Sequence, residues 1–134
     1  MYRFMLTGLL ALAIMITGVV QAGDEKPKTT KAYMKKAHAG AKSYLGMVKK
    51  AVEADNFKAA AKPMKGWASI APHLAELKPS KGSEESWKEM TTKYADSVKA
   101  LSKAVEDQDG DAAKKELKTI GGECRSCHTA HKGK

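Results

Sequence analysis

Apolar residues recur at steps of three and four along most of this chain, which is the spacing of an amphipathic helix. Four such stripes are separated by short polar segments, several of which contain Pro or Gly. No stretch alternates apolar and polar residues with a period of two, so no sheet is expected. The pattern predicts an all-α fold in which four helices with short connections form an antiparallel bundle.

The first two predicted helices lie in the N-terminal half. Thr29 or Thr30 caps the first helix, which runs to about Ala54, and Asp55 or Asn56 caps the second. The apolar stripe of the first helix is Met34, His38, Ala41, Leu45, Val48 and Val52. The stripe of the second is Phe57, Ala60, Met64, Trp67, Ala71 and Leu74. Pro63 falls inside the second helix, where it predicts a kink.

A loop with strong helix-breaking residues, 78–82, precedes the third helix, and Ser83 is a natural N-cap for it. The third stripe is Trp87, Met90, Tyr94, Val98, Leu101 and Val105. Asp109 or Asp111 starts the fourth helix, whose stripe is Ala113, Leu117, Ile120, Cys124, Cys127 with His128, and His131. Gly121 and Gly122 indicate either a close approach by a flat cofactor or another helix, or a break in this last helix.

The start of the chain has the features of a secretory signal peptide. Arg3 precedes an apolar run from Phe4 to Val20, and Val20-Gln21-Ala22 resembles a cleavage site. The run is short for a membrane span, although an uncleaved anchor is the alternative. We therefore expect cleavage after Ala22, export to the periplasm and a single mature domain, residues 23–134.

Composition narrows the possible partners. The formal net charge is +9, and it falls to +8 once Arg3 is removed with the signal peptide. The lysines either steer the protein to an acidic redox partner or an anionic membrane, or they simply solvate helix faces. The chain lacks the interleaved aromatic and basic residues that are typical of proteins that bind single-stranded nucleic acid, so nucleic acid is not an expected partner. Aromatic residues are only 6% of the chain, so a core of small aliphatic residues would be well supplemented by a large apolar cofactor.

The strongest chemical signal is Cys124-Arg125-Ser126-Cys127-His128, which contains both cysteines of the chain. Cys-x-x-Cys-His is the attachment motif of a c-type haem. At helical spacing, Cys124, Cys127 and His128 share a face, so the thiols can bond the two vinyl groups while the imidazole binds iron. A disulfide or dithiol site and a zinc site with His131 are the alternatives.

With these elements in place, the chain resembles the cytochrome c-prime group, the class II c-type cytochromes, over residues 30–132. The resemblance lies in four helices with Cys124, Cys127 and His128 near the C-terminus, and in Glu85-Ser86-Trp87 at the start of the third helix. It implies one covalently attached haem c on the last helix, and either a monomer or a homodimer.

The resemblance also places a distal haem residue on the first helix. Aligned from Leu45-Gly46-Met47-Val48-Lys49, Met34 falls at that position. Low-spin relatives use a Met there as the sixth iron ligand, while high-spin relatives leave the site open. His38, one turn further on the same stripe, is the alternative ligand.

Three classes of function follow. A one-electron carrier with Met34 and His128 as axial ligands is the first, and a protein that binds NO or CO at an open sixth site is the second. A non-haem module, binding zinc or another protein, is the third. An enzyme is not expected, since no second cluster of titratable residues accompanies the motif.

Overall fold

The computed structural model describes residues 25–134, and within them the all-α prediction is confirmed. The helices are α1 (Thr30–Ala37), α2 (Tyr44–Glu53), α3 (Phe57–Ile70), α4 (Glu84–Glu106) and α5 (Gly110–His131), with a 3₁₀ segment at Ala71–Glu76. The predicted signal peptide, residues 1–22, lies outside the described residues. None of the helices in residues 25–134 has the length and hydropathy needed to cross a bilayer.

Every α-helix in the described part of the chain begins at a side chain that caps its N-terminus. In each case an oxygen of the cap residue accepts a hydrogen bond from the backbone N–H three positions later, which satisfies one of the free donors of the first turn. The five caps are Thr29, Ser43, Asn56, Ser83 and Asp109. Local sequence therefore sets where each helix starts.

The single first helix predicted from the apolar stripe is wrong, because the chain forms two helices there. α1 ends at Ala37, Gly40 has a φ of +82°, and Ser43 caps α2. A positive φ is accessible mainly to Gly, so Gly40 permits the turn. The backbones also approach closely, since a Cβ on Gly46 would lie 2.3 Å from the Gly40 carbonyl oxygen.

The last helix shows the opposite outcome. α5 is continuous through Gly121 and Gly122, so the break considered for them does not occur. Both glycines are exposed, and a Cβ on either would meet no atom within 4 Å in the described structure. α3 likewise continues through Pro63.

The helices enclose one apolar core. α4 packs against α3, α5 and the 3₁₀ segment, and α2 packs against α3 and α5. The largest fully buried apolar side chains are Trp67, Tyr33, Met64, Ile70, Leu101, Ile120, Val48, Val52 and Val98. The prediction of a four-helix bundle is met by α2, α3, α4 and α5, with α1 as an additional short helix.

We distinguish two ends of the bundle. The closed end contains the turns at 54–56 and 107–109, where Asp55 and Gln108 adopt left-handed conformations with φ of 52° and 54°. In each turn a backbone N–H reaches back to the preceding helix, from Asn56 to Ala51 and from Asp109 to Ala104. The cleft end contains α1, the loop 80–83 and the last two turns of α5.

Candidate functional site

The Cys-x-x-Cys-His motif lies on the last two turns of α5, on one face of the helix, as its spacing predicts. Cys124 and Cys127 are half-buried and pack against the apolar core, whereas His128 is exposed. All three residues line a narrow cavity of about 20 Å³. The structure therefore brings the three predicted attachment residues together on one wall.

The same cavity is also lined by α1 and its C-cap. Met34 and His38 both contribute, so the two predicted distal residues share the cavity with the motif. The remaining lining residues are Leu74, Met90, Thr91, Tyr94 and Glu123. A larger outer cleft, about 670 Å³, adjoins the cavity, and the two share Met34, Cys127 and His128. Met34 lines both spaces, while His38 lines only the inner one.

The side chain of His38 lies at the C-terminus of α1 and is largely withdrawn from water. Its Nδ1 lies 3.2 Å from Met34 Sδ, and its Nε2 lies 2.7 Å from Tyr94 Oη. Burial, with a smaller contribution from the charge of His128, lowers the pKa of His38 to about 4. His38 is therefore a neutral imidazole at physiological pH.

Three aromatic residues extend this contact into the core. Trp67 Nε1 lies 2.6 Å and Tyr33 Oη 3.0 Å from the same Tyr94 oxygen. The apolar stripes include Trp67 and Tyr94 as packing residues and omit Tyr33. Buried Tyr and Trp side chains usually need polar partners, so the residue types alone indicate that hydrogen bonds would form here.

Electrostatics bear on the dithiol alternative. Both cysteines are free thiols, and burial raises the pKa of Cys124 and of Cys127. A redox-active Cys-x-x-Cys site lowers the pKa of its attacking thiol instead. The raised pKa of both thiols thus argues against thiol–disulfide exchange as their role.

The zinc alternative required His131 to join the motif, and the structure directs it elsewhere. His131 is buried, with Nδ1 lying 2.8 Å from the Lys81 carbonyl oxygen and Nε2 3.0 Å from Ser86 Oγ. Since a carbonyl only accepts, Nδ1–H donates to Lys81 and Nε2 accepts from Ser86. Among residues 25–134, no group of three His, Cys, Asp or Glu side chains is arranged to hold a metal ion.

Two features of the cleft end suit a haem: the set of possible ligand atoms, and one buried polar atom that has no partner. Two thiols, an imidazole and a thioether line the same cavity, a donor set that suits covalent attachment with His and Met axial ligands. Trp87 lines the outer cleft, and its buried Nε1–H has no hydrogen-bond partner in the described part of the chain. A haem carboxylate in that cleft would supply an acceptor.

Comparison with known proteins gives one match. A family model described as Cytochrome C′ matches residues 25–132, which is most of the chain. No curated protein and no solved structure matches it significantly.

Proposed function

The chain belongs to the cytochrome c′ family, and we propose that it is an exported c-type cytochrome that carries single electrons between redox proteins. One haem c would be held by Cys124 and Cys127 through thioether bonds, with His128 as the proximal ligand. Met34 would be the sixth ligand. When bound, the haem supplies the one-electron chemistry through its iron.

The observation that carries this proposal is that α1 and the motif line one cavity. Cys124, Cys127 and His128 contribute from α5, and Met34 and His38 contribute from α1 and its C-cap. A family member with an apolar distal wall would favour an open site for small gases, whereas this wall presents a sulfur and an imidazole. Two candidate donors on the distal side support a six-coordinate haem and hence an electron carrier.

Met34 is the better supported of the two donors. It lines the outer cleft together with Cys127 and His128, which His38 does not. Both ring nitrogens of His38 already have partners, Met34 Sδ and Tyr94 Oη. His38 would have to lose its contact with Tyr94 to bind iron through Nε2. Met ligation also raises the reduction potential, as suits a carrier.

Export and partners complete the proposal. The apolar run before Ala22 would direct the chain to the periplasm and be removed there. The mature charge of +8 would steer encounters with acidic surfaces of donor and acceptor proteins. The protein would act as a monomer or a homodimer.

Attachment is tested on the exported protein. Intact-mass analysis should show a chain that starts at Gly23 and carries one haem, and the haem should survive acid extraction. The double variant Cys124→Ala with Cys127→Ala should lack it. A double variant that retained haem under extraction would disprove attachment through the motif.

The sixth ligand is tested by two matched substitutions in one cavity. Met34→Leu should abolish the weak far-red band that sulfur ligation gives to ferric haem, and should open the reduced protein to carbon monoxide. Met90→Leu makes the same chemical change in the same cavity and should leave both properties intact. A wild-type protein that already binds carbon monoxide rapidly would contradict the carrier and support the gas-binding alternative.

A further inference from the structure

Three buried or half-buried side chains meet around the hydroxyl oxygen of a fourth, Tyr94, at the cleft end. Tyr94 Oη lies within hydrogen-bond distance of Trp67 Nε1, His38 Nε2 and Tyr33 Oη, at 2.6, 2.7 and 3.0 Å. Tyr33 and Trp67 are fully buried, and Tyr94 is 5% exposed. Each polar group in the cluster therefore depends on the others for its hydrogen bonds.

The number of protons fixes the direction of each bond. An indole N–H only donates, so Trp67 donates to Tyr94. The Tyr94 oxygen then has one lone pair and its own O–H left for two partners. Within the described residues Tyr94 is the only acceptor that the structure gives the Tyr33 hydroxyl, because its other neighbour, the Trp67 indole, can only donate. Tyr33 must therefore donate to Tyr94, because its buried O–H would otherwise have no acceptor.

The remaining O–H of Tyr94 then donates to His38 Nε2. A neutral imidazole that accepts at Nε2 carries its proton at Nδ1. That atom lies 3.2 Å from Met34 Sδ, so Nδ1–H donates to the sulfur. The other tautomer would place a nitrogen lone pair against the sulfur lone pairs and would leave Tyr33 unsatisfied.

We propose that His38 is a positioning residue that donates a hydrogen bond to Met34 Sδ, in a tautomer fixed by Tyr94, and thereby raises the reduction potential of the haem. This inference rests on the proposed function, with Met34 as the sixth ligand. A hydrogen bond to the sulfur withdraws electron density from it. The weakened donor stabilises ferric iron less, so the electron accepted from a partner protein is held more tightly.

The tautomer can be read directly in the wild-type holoprotein. Nitrogen-15 NMR of the reduced, diamagnetic protein should show the His38 proton at Nδ1. A proton at Nε2 would overturn the inference, whether or not any variant folds.

The effect on the haem is tested with two phenol-to-phenyl substitutions that differ in their place in the network. Tyr94→Phe removes the donor to His38, and the reduction equilibrium should shift about tenfold toward ferric iron, about 59 mV for one electron. Tyr33→Phe removes a hydroxyl from the same cluster but leaves the Tyr94–His38 bond, so the potential should stay at the wild-type value. Equal shifts in both variants would overturn the inference.

His38→Leu separates this inference from the proposed function. It should lower the potential as Tyr94→Phe does, while the far-red band of Met34 ligation remains. If the band remains and the potential is unchanged, the tuning role is wrong but the ligand assignment stands. If His38→Leu converts a low-spin haem to high spin, His38 is itself the ligand and both the ligand assignment and the tuning role fail.

Discussion

The side chains buried at the closed end of the bundle are mainly aliphatic, whereas those at the cleft end are mainly aromatic or polar. Val52, Leu101 and Val105 represent the closed end, and Tyr94 and His131 the cleft end. Aliphatic burial stabilises in proportion to area and is indifferent to direction. A buried hydrogen-bonded cluster requires every partner to be in place. The closed end is therefore stabilised mainly by apolar area, whereas the stability of the cleft end also depends on a defined geometry of its hydrogen bonds.

The largest effect should come from the closed end. Leu101→Ala creates a cavity in the aliphatic core and should lower the free energy of unfolding by about 2–5 kcal/mol, while the haem spectrum stays the same. Denaturant unfolding followed by circular dichroism measures the loss. Met47, which is 38% exposed, provides the control, since Met47→Ala should change stability little. An altered haem spectrum in Leu101→Ala would show that the two ends are not independent.

At the cleft end, His131 connects α5 to the loop before α4. Gly82 makes this contact possible, because a Cβ there would lie 2.6 Å from His131 Nδ1. His131→Leu leaves the Lys81 carbonyl and the Ser86 hydroxyl without their partner and should lower the free energy of unfolding by about 1–3 kcal/mol. Lys132→Ala, on the exposed neighbour, should have no effect. A change in haem coordination would show that His131 does more than connect these segments.

A smaller effect of opposite sign is expected in the closed-end turn at 107–109. Gln108 has a φ of 54°, a conformation that costs a residue with a Cβ about 1 kcal/mol or more. Gln108→Gly should therefore raise the free energy of unfolding, by about 0.5 kcal/mol after the greater flexibility of the unfolded chain is counted. Thermal melts measure the change. Asp55→Gly should gain less, because Asp tolerates this conformation better than Gln.

Another small effect concerns pH. Burial raises the pKa of Glu123, whose Oε1 accepts from Ser97 while the buried Oε2 has no partner in residues 25–134. The folded state then keeps its proton at a pH where the unfolded chain has lost it, so the free energy of unfolding falls as pH rises through that interval. Glu123→Gln should remove this fall, by less than about 1 kcal/mol because the residue is partly exposed.

Glu106→Gln, at the exposed C-terminus of α4, is the control for this measurement, because Glu106 is not among the charges that shift the pKa of Glu123. Unfolding is followed at several pH values between about 4 and 7, the range in which carboxyl groups titrate. In the control, the free energy of unfolding should change with pH as it does in the wild type. A rise of wild-type stability with pH that disappears only in Glu123→Gln would contradict the assigned direction of the shift.

Periodicity and capping residues were sufficient to predict most of the fold. Asn56, Ser83 and Asp109 start helices where expected, because an N-cap is a local interaction that a sequence displays directly. The break between α1 and α2 was missed, since the apolar spacing continues across it and Gly40 permits a turn without requiring one. Gly121 and Gly122 do not interrupt α5, because buried residues on both sides of them, Ile120 and His131, hold the helix against the core.

The candidate site shows a similar division. The spacing of Cys124, Cys127 and His128 predicts that they share a face, and the stripe of the first helix predicts Met34 and His38 as distal residues. All five line one cavity. The hydrogen bonds among Tyr33, Trp67 and Tyr94 join three different helices, so no local pattern reveals them. Their partners depend on how the helices pack, which periodicity alone does not specify.

The separation of α1 from α2 has a consequence for how such a protein can diverge. α1 has eight residues and is connected to α2 by a turn, so its position depends on contacts with distant residues, including Tyr94 on α4 and the Lys78 carbonyl that accepts from Thr30. Substitutions on other helices can therefore shift Met34 and His38 within the cavity while both residues are inherited unchanged. Homologues with the same axial residues need not share the same redox behaviour.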